Sequence, residues 1–126
     1  MRITTAGLAC RSGRYFTALR KPGSSIGESW EFPGGKHRRG ETPQQTLRRE
    51  FLEELGIDIK VGELLFETTF KNHQQEYLLM VYGVTLADQE PVLNEHLKVG
   101  WFLPEELLQL PLAGSDRAIA EYLVRP

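Results

Sequence analysis

Apolar residues recur along this chain in two rhythms. From Ile3 to Cys10 and from Arg14 to Arg20 they form short β-rich runs joined by Ser12-Gly13, a dipeptide suited to a tight turn. Two further runs, Asp58–Phe70 and Glu76–Leu86, are parted by the polar stretch Lys71-Asn72-His73-Gln74-Gln75, and Leu97–Phe102 is a last short strand. Between these pairs the spacing becomes helical. Thr42-Pro43-Gln44-Gln45 has the T-x-x-Q form of a capping box with proline at the first helical position, and Gly56 stands where a helix commonly ends, so the pattern predicts a helix from about Pro43 to Leu55. A turn of helix from Pro104 and a final helix from about Ser115 to Val124 complete the order of elements. Strands on either side of a helix, with another helix at the end, predict an α/β domain with a mixed β-sheet. No repeat or linker divides residues 1–126, which read as one domain. The loop from Lys21 to Ser29, rich in serine and glycine, is expected to border a substrate.

The central helix has two chemically distinct sides. With Leu47 set at 0°, Phe51, Leu55 and Leu52 fall at about 40°, 80° and 140°, while Glu54, Glu50 and Glu53 fall near −20°, −60° and −120°. The first group anchors the helix in a core. The second crowds carboxylates along one flank, where each unshielded pair at i, i+3 or i+4 costs roughly 0.2–0.5 kcal/mol. A hard divalent cation with a taste for oxygen, Mg²⁺ or Mn²⁺, turns that repulsion into binding. A solvated acidic face with Arg48 and Arg49 as salt-bridge partners is the competing reading. Just upstream, Pro33-Gly34-Gly35-Lys36 supplies a turn whose glycines allow close backbone approach to a ligand.

Composition narrows the classes. The chain has 126 residues, 40% hydrophobic and 25% charged, values of a globular domain. A net charge of −2 and the lack of a basic stripe argue against polymeric nucleic acid as a partner, though not against a nucleotide, whose charge a metal and a few cations can neutralise locally. Cys10 is the single cysteine, so no intrachain disulfide forms; its apolar run places it as a buried strand thiol, and a reducing cytoplasm is the expected location. Gly7-Leu8-Ala9-Cys10 mimics the end of a lipoprotein leader, but Thr4-Thr5 interrupt the apolar stretch, and the chain reads as mature from Met1. No run approaches the roughly 20 apolar residues of a membrane span.

The flanking residues make the chemistry specific. Gly35, five residues, Glu41, seven residues, then Arg49-Glu50-Phe51-Leu52-Glu53-Glu54-Leu55-Gly56-Ile57 resembles the Nudix box, G-x5-E-x7-R-E-U-x-E-E-x-G-U with U a bulky aliphatic residue. Every fixed polar and glycine position matches, and Phe51 is the one departure. Trp30-Glu31-Phe32-Pro33-Gly34-Gly35-Lys36 is similar to the MutT-like branch of that family, and the direct match, Trp30 to Ile57, covers less than a quarter of the chain. The resemblance implies the Nudix α/β/α sandwich and metal-dependent hydrolysis of a nucleoside diphosphate linked to another group. For the MutT-like branch that means cleavage of a nucleoside triphosphate to monophosphate and pyrophosphate, including removal of oxidised forms such as 8-oxo-dGTP.

It implies roles as well. Glu50, Glu53 and Glu54 are the metal cluster, with Glu50 either a ligand or the group that deprotonates the attacking water, and the Gly34 carbonyl is an additional ligand. Arg49 steadies the glutamates through its i+4 partner Glu53, and Glu41 organises the loop. Arg20 and Lys36 are phosphate contacts or ordinary surface cations; Phe32 and Tyr82 pack on a base or are plain core. Asp116 reads the base edge or, with Ser115, only caps the last helix. Some relatives carry a glutamate just before the tryptophan of the last strand. Gly100 stands there in this chain, and Glu95 or His96 could substitute unless both are solvated loop residues. Two rival readings stay open: a Nudix-fold module that senses a nucleotide without cleaving it, and hydrolysis of another nucleoside diphosphate derivative. The sequence leaves the oligomeric state undetermined.

Overall fold

The protein is described by a computed structural model covering residues 1–22 and 28–125. In chain order it contains β1 (Arg2–Leu8), β2 (Cys10–Arg11), β3 (Arg14–Arg20), β4 (Ser29–Glu31), α1 (Pro43–Leu55), β5 (Ile59–Asn72), β6 (Gln75–Leu86), β7 (His96–Phe102), α2 (Pro104–Leu107) and α3 (Gly114–Leu123). The middle of the 21–29 loop, residues 23–27, lies outside the described residues.

Two sheets form. The first, in the order β1-β6-β5, is mixed: β1 runs parallel to β6 with Arg2 opposite Tyr77 and Thr4 opposite Leu79, while β5 and β6 are an antiparallel hairpin. In the second, β3 pairs antiparallel with β2, β4 and β7. Helix α1 covers one face of the mixed sheet through Leu47, Phe51 and Leu55, each wholly buried, against Tyr82, Val84 and Leu86. Helices α2 and α3 cover the other through Leu107, Ile119 and Ala120, against Ala6, Leu8, Leu79 and Val81. Burying side chains of this size stabilises by roughly 1.5–3 kcal/mol each. The result is an α/β/α sandwich.

Helix α1 follows its sequence signals. Thr42 Oγ1 accepts from Gln45 N at 3.1 Å, Gln45 Oε1 accepts from Thr42 N at 2.8 Å, and Gly56 closes the helix at φ 65°. Leu52, at the margin of the predicted apolar face, is instead exposed. Phe51 fits because it lies over Gly7, where a Cβ would come within 2.8 Å of the ring.

Two expectations about the strands change, and one about the last helix. The run from Ile3 to Cys10 is broken at Ala9, where the chain passes from one sheet to the other; Cys10 then begins β2 and is exposed, not buried. The five-residue polar stretch after Phe70 contracts to a two-residue turn, because His73 and Gln74 both take positive φ (49° and 66°), the backbone of a tight hairpin turn usually filled by Asn-Gly. Helix α3 starts at Gly114 with Ala113 as its N-cap and no side-chain cap. Neither Ser115 nor Asp116 caps it.

Candidate active site

The stretch before α1 adds a short strip to the open edge of β1. Thr5 N donates to Gly35 O and Gly7 N to Pro33 O, both at 2.9 Å, and His37 N donates to Ile3 O at 3.0 Å. These bonds turn the Pro33 and Gly35 carbonyls toward β1, and alternation leaves the Gly34 carbonyl on the opposite edge of the strip. Gly34 is sterically required, and Gly35 is needed for Glu50 to keep its position. A Cβ on Gly34 would lie 2.0 Å from Thr5 O, and one on Gly35 would lie 2.4 Å from Glu50 Cδ, so the Glu50 carboxylate packs directly on the strip.

Arg49 is the hub of the exposed side. Its Nε and Nη2 donate to Glu41 at 2.6 and 3.1 Å, its Nη1 to Glu50 at 2.9 Å and to Glu53 at 3.4 Å, and Nη2 also reaches Lys36 O at 3.1 Å. Glu41 accepts further bonds from Thr46 Oγ1 and Arg38 N. The Arg49 guanidinium above all, with Thr46 and Arg38, holds the Glu41 carboxyl down at about 2. Glu53 is half exposed, between Arg49 and Arg38.

Glu54 points the other way, toward Arg20 of β3, Glu31 of β4 and His96 of β7. Both of its carboxylate oxygens are buried without a hydrogen-bond partner. Arg20 Nη2 and His96 Nε2 stand 3.6 and 3.8 Å from its Oε1, yet both are engaged by Glu31: Arg20 grips the Glu31 carboxylate with Nε and Nη2 at 2.9 and 2.8 Å, and His96 Nε2 lies 2.9 Å from it. Burial first, then the charges of Glu31 and Glu50, pushes the Glu54 carboxyl up to about 9. Glu31 titrates below its usual range, since the bonds from His96 and Arg20 outweigh its desolvation.

Next to this cluster a cavity of about 140 Å³ opens on the α3 face of the mixed sheet, lined by Thr4, Glu31, Phe32, Gly34, Phe70 and Asp116 among others. Asp116 is 8% exposed, and its Oδ1 accepts from Phe32 N at 2.9 Å. Burial raises its carboxyl to about 7 against the pull of that N–H. The helix-capping reading of Asp116 therefore fails, and its bonded partner is the strip that frames the cavity.

The other candidates separate. Phe32 lines the cavity, whereas Tyr82 lies on the α1 face in the core beside Phe51 and is no cavity residue. Arg20 is occupied with Glu31. Lys36 is exposed, with Nζ 5.5 Å above the Tyr77 ring, outside the cavity. Glu95 is exposed on the loop before β7; His96, expected as a loop residue, is the buried first residue of that strand. Glu31 was missed in the sequence. Its signal was a lone carboxylate between Trp30 and Phe32, since a glutamate inside an apolar strand requires partners.

The donor set fits a divalent cation. The Glu54 carboxylate, both of whose buried oxygens lack a hydrogen-bond partner, the Glu50 carboxylate beside it and the Gly34 carbonyl are all hard oxygen donors. Glu31, Glu54 and His96 also bring ligand atoms within 4.8 Å of one another. No helix among the described residues is long and apolar enough to cross a membrane.

Comparison with known proteins extends the likeness over nearly the whole chain. A family model described as the NUDIX domain matches residues 1–123. The chain is 36% identical to the CTP pyrophosphohydrolase of Escherichia coli over 92% of its own length and 86% of that protein's. It is 32% identical to a putative 8-oxo-dGTP diphosphatase 2 of Mycobacterium tuberculosis, covering 98% and 88%. Among solved structures, the E. coli ORF135 protein superposes with a TM-score of 0.82 at 32% identity, over 96% of this chain and 86% of that one. A MutT NUDIX hydrolase from Burkholderia pseudomallei also gives 0.82, at 29% identity over 98% of each.

Proposed function

We propose, for a chain that belongs to the NUDIX domain family, that it hydrolyses nucleoside triphosphates to nucleoside monophosphate and pyrophosphate. The observation that carries this reading is the pairing of an unsatisfied carboxylate, Glu54, with a nucleobase-sized cavity ending at Asp116, the two joined by Glu31. Mg²⁺ or Mn²⁺ held by Glu53, Glu54 and the Gly34 carbonyl would neutralise charge on the phosphoryl oxygens. Glu53 borders the same cluster from the solvent side. Hydrolysis forms a bond from water oxygen to phosphorus and breaks a bridging P–O bond. Glu50, fixed between Arg49 and Gly35, is placed to orient that water and take its proton. Arg49 and Glu41 hold Glu50 in place, and Arg20 and His96 hold Glu31.

The base is read at Asp116. One carboxylate oxygen is bonded to the strip, so the other meets the ligand, and with its titration near neutrality it accepts from an N–H when ionised and donates when protonated. Such an edge suits the exocyclic amine of cytosine or the protonated N7 of an 8-oxopurine. These are the bases in the names of the E. coli and M. tuberculosis relatives.

The deciding experiment measures monophosphate and pyrophosphate release from CTP, dCTP, dGTP and 8-oxo-dGTP, with and without Mg²⁺ or Mn²⁺. Metal-dependent release of both products supports the reading. Binding without release would make the protein a sensor. Asp116→Asn, which alters the donor and acceptor pattern at one atom, should reorder the substrates by kcat/KM; an unchanged ranking places base reading elsewhere.

A further inference from the structure

Beyond the catalytic carboxylates and the base cavity, the same sheet face carries a second concavity of about 350 Å³, lined by Met1, Arg2, Ile3, Lys36, His37 and Tyr77. Its position follows from register. Phe32 lines the base cavity and Lys36 the second one, with Gly34 between them close against the β1 backbone at Thr5, whereas Gly35 faces Glu50 on the α1 side. On β1 and β6 the pair Thr4–Leu79 floors the base cavity, and the next pair along that face, Arg2–Tyr77, floors the second one. Phe70 lines the first and stacks on Tyr77 of the second at 5.2 Å. The two concavities are therefore consecutive steps of one trough. From Phe32 to Lys36 that trough runs about 13 Å at strand rise, passing the bare Gly34 midway.

The far end is cationic although the chain as a whole carries −2. Among the described residues neither Arg2 nor Lys36 has a carboxylate within 4.0 Å; surface cations such as Arg11, Arg48 and Lys60 share that condition, but Arg2 and Lys36 line one and the same concavity. The Lys36 ammonium is held over the Tyr77 ring, and His37 is tied through its ring nitrogen to Glu41 O. With an aromatic and carboxylate end at Phe32 and Asp116 and an unpaired cationic end at Arg2 and Lys36, the trough has the polarity of a nucleotide laid base first.

We infer that Arg2, with Lys36 and His37 beside it, forms an anion subsite for the phosphoryl groups farthest from the nucleoside, and hence for the pyrophosphate product. This rests on the triphosphate reading above and adds to it a group that measures the length of the phosphate chain. Arg2 is exposed and outside both cores, so its replacement tests binding without disturbing the fold.

The test is calorimetric titration of the parent, Arg2→Ala and Arg2→Lys with inorganic pyrophosphate in Mg²⁺, and with a nucleoside monophosphate as the reference ligand. Removing one charge-assisted contact should weaken pyrophosphate about tenfold in Arg2→Ala, most of it regained in Arg2→Lys, with monophosphate affinity held within about twofold. Pyrophosphate affinity unchanged in Arg2→Ala, or both ligands weakened equally, overturns the subsite. Because the readout is binding, the two readings fail separately. A parent that binds pyrophosphate through Arg2 but cleaves no triphosphate refutes the hydrolysis reading alone, and one that cleaves triphosphates with Arg2→Ala indistinguishable in pyrophosphate binding refutes the subsite alone.

Discussion

Glu41 and Glu54 belong to the same sequence motif and flank the same helix, yet one is saturated with donors from Arg38, Thr46 and Arg49 while the other, 3% exposed, receives none. Their carboxyls accordingly titrate at about 2 and about 9. A carboxylate whose lone pairs are all taken by the protein fixes structure and has nothing left for a ligand. One left buried and unpartnered is a standing cost that a cation can remove. The contrast separates scaffold from metal-binding acids within a motif whose glutamates look alike as letters.

The largest expected effect is at Glu54. Glu54→Gln should lower turnover by about three orders of magnitude, since a neutral amide is a poor ligand for a hard cation. The sign for stability is opposite. A folded-state titration raised from 4.5 to about 9 means that its contribution to stability is full below about 4.5 and is lost as pH rises toward 9. Metal-free Glu54→Gln at pH 8 should thus melt at or above the parent; a melting point several degrees lower would show that Glu54 is a structural acid like Glu41.

Glu54 is carried by α1 and Glu41 is held against it through Thr46 and Arg49, and the helix is anchored by Phe51. Phe51→Ala should cost about 3–5 kcal/mol in chemical denaturation, and a thermal midpoint within a degree of the parent would overturn the packing described. At Glu41 the expectation is milder: Glu41→Gln loosens Arg49 and should reduce metal affinity or activity roughly tenfold, as loss of a supporting residue does. A loss as deep as that of Glu54→Gln would erase the distinction between the two. The subtlest readout is proton counting. Mg²⁺ added at pH 7.5 should displace close to one proton in calorimetry across buffers of different ionisation enthalpy, and none in Glu54→Gln; equal release from both proteins would move the proton to another site.

How far the sequence foretold these features depended on how local their causes are. Helix α1 was legible with both its ends because a capping box, a proline and a terminal glycine all lie in or beside the segment they delimit. The His73-Gln74 turn was not, since nothing but strand pairing forces two ordinary residues to positive φ. Tyr82 and Phe32 look alike as strand aromatics, and which face each takes is set by register across the mixed sheet. Glu31 and His96 acquire meaning only when β4 and β7 meet on either side of β3, opposite Arg20, an encounter between residues 65 positions apart. Asp116 was recognised as a candidate, but its bond to Phe32 N, which decides against capping, spans 84 positions.

The absent side chain at Gly7 makes two distant positions one steric unit. Phe51 occupies a box position that usually holds an aliphatic residue, and it does so over a backbone atom where any Cβ would come within 2.8 Å of the ring. In this pose the phenylalanine needs residue 7 to be bare. Grafting this helix onto a related scaffold with alanine at the strand position would carry over a collision invisible in the motif, while Gly7→Ala paired with Phe51→Leu should be tolerated far better than Gly7→Ala alone.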